Sequence, residues 1–242
     1  MDSLSPHLDP RSPRRRVIVA LDFDDRAAAE ALVARLGDEC RCYKVGLELL
    51  TVAGPEFVAG LVERGKEVFL DLKLFEIPTS VAGAVRAAGA LGCTLVTVHG
   101  MGGTGILSAA VEAAREFPDL RVLALTVVTS MTDADLAEVG VTAPVADQVL
   151  RLAGLARHAG CHGVIASPQE VAALRALLGP DAVIVTPGVA LPGGATGEHA
   201  RPGTPRAAVA DGASQVVVGR GVTRAADPLA AFRLVLANLA AA

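Results

Sequence analysis

Val68-Phe69-Leu70-Asp71-Leu72-Lys73-Leu74-Phe75-Glu76-Ile77-Pro78-Thr79-Ser80 places three ionisable side chains at the end of an apolar run. Val68, Phe69 and Leu70 suit a strand covered on both faces. Residues two apart in a strand point the same way, so Asp71 and Lys73 share one side. An acid and a base then stand together at a strand mouth, with Glu76 just beyond. Pro78 fits the first turn of a helix, Thr79 and Ser80 are capping types, and the small-residue run from Val81 to Leu91 has helical character. The stretch reads as strand, loop and helix start. Asp71 and Lys73 alone admit two readings: an ordinary ion pair, or a functional one. Charges beside an apolar strand are seldom buried without partners, and a Lys shifted by burial is a recurrent general acid or base.

Outward from this unit the same pattern repeats. Short β-branched runs alternate with Ala/Leu-rich helical stretches from Arg16 onward, the pattern of βα units around a parallel sheet. Strands are expected at Val17–Leu21, Cys42–Val45, Glu67–Leu72, Leu95–His99, Val122–Val127, Gly163–Ala166, Ala182–Thr186 and Gln215–Gly219. Helices are expected between them, among them Arg26–Leu36, Gly102–Glu116, Val145–His158, Gln169–Leu178 and Pro228–Ala241. Eight units in a chain of 242 residues indicate a TIM (β/α)8 barrel, whose active site lies at the C-terminal mouths of the strands. A doubly wound open sheet fits less well, because no GxGxxG follows the first strand and the repeat continues to eight.

The barrel reading carries its own test, since an enzyme should collect polar residues just after the strands. Asp22 follows Val-Ile-Val-Ala-Leu, Lys44 ends the second strand, and Asp71 and Lys73 end the third. His99 ends the fourth, Thr129 and Ser130 follow the fifth, and Arg220 follows the eighth. Singly these could be a cap, a snorkelling lysine or a satisfied core histidine; together they outline one rim. Thr186-Pro187-Gly188-Val189 and Val218-Gly219-Arg220-Gly221 lie where barrels commonly hold a phosphate with backbone N–H groups and a cation. Gly188, Gly219 and Arg220 are the candidates. Gly219 reads equally well as a turn glycine on local grounds.

Composition bounds the rest. With 52% hydrophobic residues and 25 glycines, one α/β domain over residues 16–242 is expected, preceded by a flexible leader over residues 1–15. A net charge of −4 offers no general attraction to nucleic acid or an anionic membrane, and the short basic run Arg14-Arg15-Arg16 reads as part of a solvated tail. No apolar stretch approaches the roughly 20 residues of a membrane span. Cys40, Cys42, Cys93 and Cys161 lack CxxC spacing and disulfide density, so they read as reduced thiols of a cytoplasmic protein. No His/Cys/carboxylate group has metal spacing, and no metal or cofactor is expected.

Asp71-x-Lys73-x-x-Glu76-Ile-Pro-x-Ser80 resembles the Asp-x-Lys-x-x-Asp-Ile-Pro-x-Thr signature of orotidine 5′-monophosphate decarboxylases, bacterial type. Val-Ala-Leu-Asp22, Lys44-Val-Gly, Val-x-Val-His99, Leu-Thr-Val-Val-Thr129-Ser130-Met, Thr-Pro187-Gly188 and Val-Gly219-Arg220 follow in the family's order over roughly residues 17 to 238. The resemblance implies cofactor-free decarboxylation of a nucleotide, orotidine 5′-monophosphate, to UMP. It makes Lys73 the acid that protonates C6, Asp71 the carboxylate facing the substrate carboxylate, and Asp22 and Lys44 a ribose-contacting pair. Ser130 resembles the contact to the pyrimidine edge. Glu76 and Ser80 resemble residues that reach into a neighbouring subunit's site, which implies a homodimer with shared active sites. Four positions depart from the usual pattern. Glu76 and Ser80 stand for Asp and Thr, Ala190 stands where many bacterial members have Arg, and Pro192 stands where a phosphate-contacting Gln is expected. A divergent paralogue acting on another nucleotide or sugar phosphate, and a non-catalytic nucleotide-binding relative, stay open beside the decarboxylase.

Overall fold

The computed structural model describes residues 12–193 and 199–240. Eight parallel strands close into a barrel in sequence order, each hydrogen-bonded to the next and β8 to β1. They are β1 Val17–Ala20, β2 Cys42–Gly46, β3 Glu67–Leu74, β4 Leu95–His99, β5 Arg121–Leu125, β6 Gly163–Ile165, β7 Val183–Thr186 and β8 Gln215–Val218. A short helical turn α1, Pro13–Arg16, precedes them. The helices that follow are α2 Arg26–Leu36, α3 Leu47–Glu63, α4 Pro78–Ala90, α5 Gly103–Ala114, α6 Asp133–Glu138, α7 Val145–His158, α8 Val171–Leu178, α9 Pro205–Ala210, α10 Arg220–Thr223 and α11 Pro228–Ala240. All eight expected strands are present, with ends that move by a residue or two, as element ends do when the last pairing hydrogen bond decides them. Ala241, placed in the last expected helix, lies outside the described residues.

Strand alternation sorts the apolar side chains into two concentric cores. Val17 and Val19 face outward against the helices, while Ile18 and Ala20 face the barrel interior with Phe69, Leu95, Leu123, Ile165, Val183 and Val217. Mostly branched aliphatic side chains, with Phe69, thus fill the barrel as a packed core rather than a pore. Gly163 shows how tightly the strands approach: a Cβ there would lie 1.8 Å from the Val183 carbonyl oxygen.

Two features differ from the sequence expectation. The first concerns the leader, whose residues 1–11 lie outside the described residues. Its last part is helical, with Pro13 at the first helical position. Arg15 is tied to the barrel floor: its guanidinium meets Glu67 at 2.6 Å, and its carbonyl accepts from Gln215 Nε2 at 2.8 Å. A partly buried ion pair and a strand-end hydrogen bond order what composition alone marks as solvated. The second concerns β3, which runs on to Leu74 but shifts its register against β4 between Leu70 and Leu74. Lys73 adopts φ +49 there, the one positive φ at a non-glycine among the described residues. Asp71 and Lys73 do meet on one side, but through a bulge rather than plain alternation.

The four cysteines are free thiols, three of them buried. Burial pushes Cys40, Cys93 and Cys161 up to about 12, which leaves almost no reactive thiolate at neutral pH. No helix among the described residues is long and apolar enough to cross a membrane.

Candidate active site

At the C-terminal mouth of the barrel, four side chains from β2, β3 and the loop after β1 form a line of alternating charge. Lys44 Nζ lies 2.8 Å from Asp22 Oδ1 and 3.6 Å from Asp71 Oδ2, and Lys73 Nζ lies 2.8 Å from the same Asp71 oxygen. Each is placed by strand geometry. Lys44 faces inward in register with Ala20 of β1 and Phe69 of β3, Asp22 follows β1, and Asp71 continues the inward set one step beyond Phe69. The inner members are well shielded, with Asp71 and Lys44 side chains 12% and 13% exposed, whereas Asp22 is open to solvent. Burial alone would raise the Asp71 carboxyl. The Lys44 and Lys73 ammonium groups, with hydrogen bonds from Lys73 and Thr97, outweigh it and hold Asp71 below the usual carboxylate range. Asp71 is therefore a carboxylate at neutral pH, fixed between two cations.

These residues line a cavity of about 220 Å³. Its floor is the top of the inner core, from Phe69, Leu125, Ile165 and Val217, and its walls include Thr129, Pro187 and Gly188. It opens outward into a larger space of about 710 Å³ lined by Ser130, Gly219, Arg220 and the segment after β7. A concave, mostly apolar pocket with a few placed polar groups is the usual form of a small-molecule site. Among the described residues, no group of three or more His, Cys, Asp or Glu side chains is arranged to hold a metal ion.

Most of the residues singled out in the sequence come together here, and three do not. Asp22, Lys44, Asp71, Lys73, Thr129, Pro187, Gly188 and Gly219 line the inner cavity; Ser130 and Arg220 line the outer one. His99 turns away, because its Nδ1 accepts the Met101 N–H at 3.2 Å and its ring stacks on Phe75 at 5.6 Å. Burial and the nearby Lys73 charge lower its pKa, so it is a neutral cap of the turn after β4. Glu76 and Ser80 also lie outside this cavity. Glu76 is fully exposed, and a hydrogen bond from Ser80, with one from the Ile77 backbone, lowers its pKa. Glu76 therefore does not extend the ion chain within this chain.

Three further residues belong to the site without having been legible in the sequence. Thr97 of β4 is fully buried and hydrogen-bonds both Asp71 and Lys73. Its only signal was a hydroxyl within the apolar run that precedes His99. His199 lines both cavities and pairs through Nδ1 with Thr129 Oγ1 at 2.7 Å. Gly188 allows this, since it adopts φ +79 and a Cβ there would stand 3.1 Å from the His199 ring. Pro192 does not line either cavity; among the described residues of the segment after β7, the polar side chain presented to the site is His199. Arg201 secures that segment. Its Nε meets buried Glu170 at 2.6 Å, its other end donates to the Met131 carbonyl at 2.5 Å, and the Ala200 N–H donates to the Thr129 carbonyl.

Residues 15–235 match the profile of the family described as orotidine 5'-phosphate decarboxylase / HUMPS. The orotidine 5'-phosphate decarboxylase of Halorhodospira halophila is 50% identical over 229 residues, covering 94% of this chain and 97% of its own length. That of Moorella thermoacetica is 47% identical over 231 residues, covering 93% and 92%. Among solved structures, the crystal structure of orotidine 5'-phosphate decarboxylase from Lactobacillus acidophilus superposes with a TM-score of 0.82 at 37% identity, covering 92% of this chain and 98% of that one. Likeness of this extent runs through every strand that carries the ion chain, and the protein accordingly belongs to the orotidine 5'-phosphate decarboxylase / HUMPS family.

Proposed function

We propose that the protein decarboxylates orotidine 5′-monophosphate to UMP, the decarboxylation step of pyrimidine nucleotide synthesis, without a cofactor. The observation that carries this reading is the alternating line Asp22, Lys44, Asp71, Lys73 above an apolar floor. When the bond between C6 and the carboxylate breaks, its electron pair stays on C6 and carbon dioxide leaves. An ammonium already fixed beside that carbon stabilises the charge as it develops and then gives it a proton, which solvent returns to the amine. Lys73 is the group for this role. Asp71 holds it in place, and its negative charge disfavours a bound carboxylate more than the neutral carbon dioxide that forms from it, a ground-state contribution. Lys44 and Asp22 are assigned to the ribose hydroxyls. Thr129 and Ser130 are assigned to the pyrimidine edge.

The phosphate is assigned to the outer cavity, where Arg220, the Gly219 backbone, Gly188 and His199 converge. Binding energy gathered there, remote from C6, can be used to align the base. Ala190 adds no cation to that cavity, which leaves Arg220 and Arg224 as its lining cations among the described residues.

The same reading makes the active form a cytoplasmic homodimer, with residues 16–242 as its single domain. Phe75 and Ile77, 60% and 59% exposed, flank Glu76 on the rim, an apolar pair suited to a subunit interface. A side opening of about 230 Å³ beside Leu47 is lined by Lys44, Asp71 and Lys73, and the reading assigns it to a carboxylate from a partner. The direct test is loss of orotidylate absorbance on adding purified protein, with equal rates in the presence and absence of EDTA. Intact absorbance at protein concentrations that bind UMP would overturn the assignment.

A further inference from the structure

Thr97 faces the barrel interior one step beyond Leu95, at the upper edge of the apolar inner core and level with Asp71, and is fully buried. Valine has nearly the same shape and no hydroxyl to desolvate, so a buried threonine here must be compensated by its hydrogen bonds. It makes two, and both go to the segment bearing the ion chain. Its Oγ1 accepts the Lys73 backbone N–H at 2.9 Å and donates to Asp71 Oδ1 at 2.9 Å. Lys44 Nζ and Lys73 Nζ both approach the other oxygen, Oδ2. The carboxylate is thus held from two sides, which fixes its plane.

The same hydroxyl sits where β3 slips its pairing with β4 and where Lys73 takes φ +49. A left-handed backbone at a non-glycine persists only where the surroundings over-determine it. At the bulge the Lys73 N–H is satisfied by a side chain instead of a strand carbonyl, and Thr97 supplies that acceptor. Thr97 lines neither cavity, so it acts through its neighbours.

We propose that Thr97 is a positioning residue for decarboxylation: one hydroxyl holds both the backbone bend that aims the Lys73 ammonium and the orientation that presents Asp71 Oδ2 to the two lysines. The inference rests on the decarboxylase reading, and its test separates the two. Wild type, Thr97→Ser and Thr97→Val are compared for kcat and KM on orotidine 5′-monophosphate, and the Asp71 carboxyl is titrated by carbon NMR in each. Thr97→Val should lower kcat by about ten- to a hundredfold, the range for a lost hydrogen bond to a charged group, with KM within about threefold. Its Asp71 carboxyl should titrate at higher pH, because a donor to the charged form is gone. Thr97→Ser should restore both. If Thr97→Val does not fold, Thr97→Ala is measured in its place, with the same expectation. A hydroxyl-free variant that keeps wild-type kcat, or leaves the Asp71 titration unmoved, overturns the proposal. A wild type without turnover removes the decarboxylase reading instead, and the Asp71 titration then still decides whether Thr97 holds the pair.

Discussion

Replacing Lys73 by Ala deletes the ammonium 2.8 Å from Asp71 Oδ2 and leaves Lys44, at 3.6 Å, as the nearest cation. At an effective dielectric of about 20, the lost attraction is about 6 kcal/mol before screening. The Lys73 side chain is 39% exposed, so water replaces much of that, and a net effect of about 1–3 kcal/mol on folding is expected. The effect on chemistry is larger, because the ammonium is needed most when charge appears on carbon. General acid catalysis contributes about 10²- to 10⁴-fold and a preorganised donor about 10²- to 10³-fold, so kcat should fall by at least about 10⁴-fold. UMP has no carboxylate at C6 and makes no call on the proton, so its Kd should rise by less than about tenfold, or about 1.4 kcal/mol. Stopped or continuous absorbance assays give kcat, and calorimetric titration with UMP gives Kd on the same preparations. A Lys73→Ala enzyme within about tenfold of wild-type kcat would refute the proton-donor assignment. A Kd that rises in step with the loss of kcat/KM would show uniform binding instead of transition-state stabilisation.

Further outcomes follow from the same geometry. Because Lys73 holds φ +49, Lys73→Gly should be more stable than Lys73→Ala by about 1 kcal/mol, read from thermal unfolding; equal stability would mean the bend relaxes in the variants. His199→Ala should weaken UMP binding by about tenfold while Pro192→Gln leaves it unchanged, since only His199 reaches the cavities; the reverse order would restore position 192 to the site. His99 has a lowered pKa in the fold, so below its unfolded value of about 6.5 the unfolded chain binds more protons and stability is lost as pH falls. His99→Gln should flatten stability across that window, and an unchanged slope in urea titrations from pH 7 to pH 5 would count against a neutral capping role. Mixing Lys73→Ala with Glu76→Ala subunits should recover activity through hybrid dimers with one intact site; demonstrated exchange without recovery would exclude shared sites.

The barrel and most of its rim were legible in the sequence because their causes are local. A parallel strand buried on both faces announces itself as an apolar run, and a polar residue at its end stands out against that run, as Asp22, Lys44 and Asp71 do. Eight such units close into a barrel by short right-handed connections, so little more than the count was needed. Other features had no local cause. The bend at Lys73 depends on Thr97, which is 24 residues away in the chain. His199 enters the cavity because Arg201 is clamped to Glu170 and Met131, contacts that span 31 and 70 residues. His99 carries the right chemistry at the right spacing, yet the turn after β4 points it elsewhere, and Glu76 stands exposed on the loop ahead of α4. Sequence alone therefore determined which strand ends could hold charges. Only the tertiary structure decided which of those charges share a cavity, because that depends on register slips and long-range clamps that no local periodicity records.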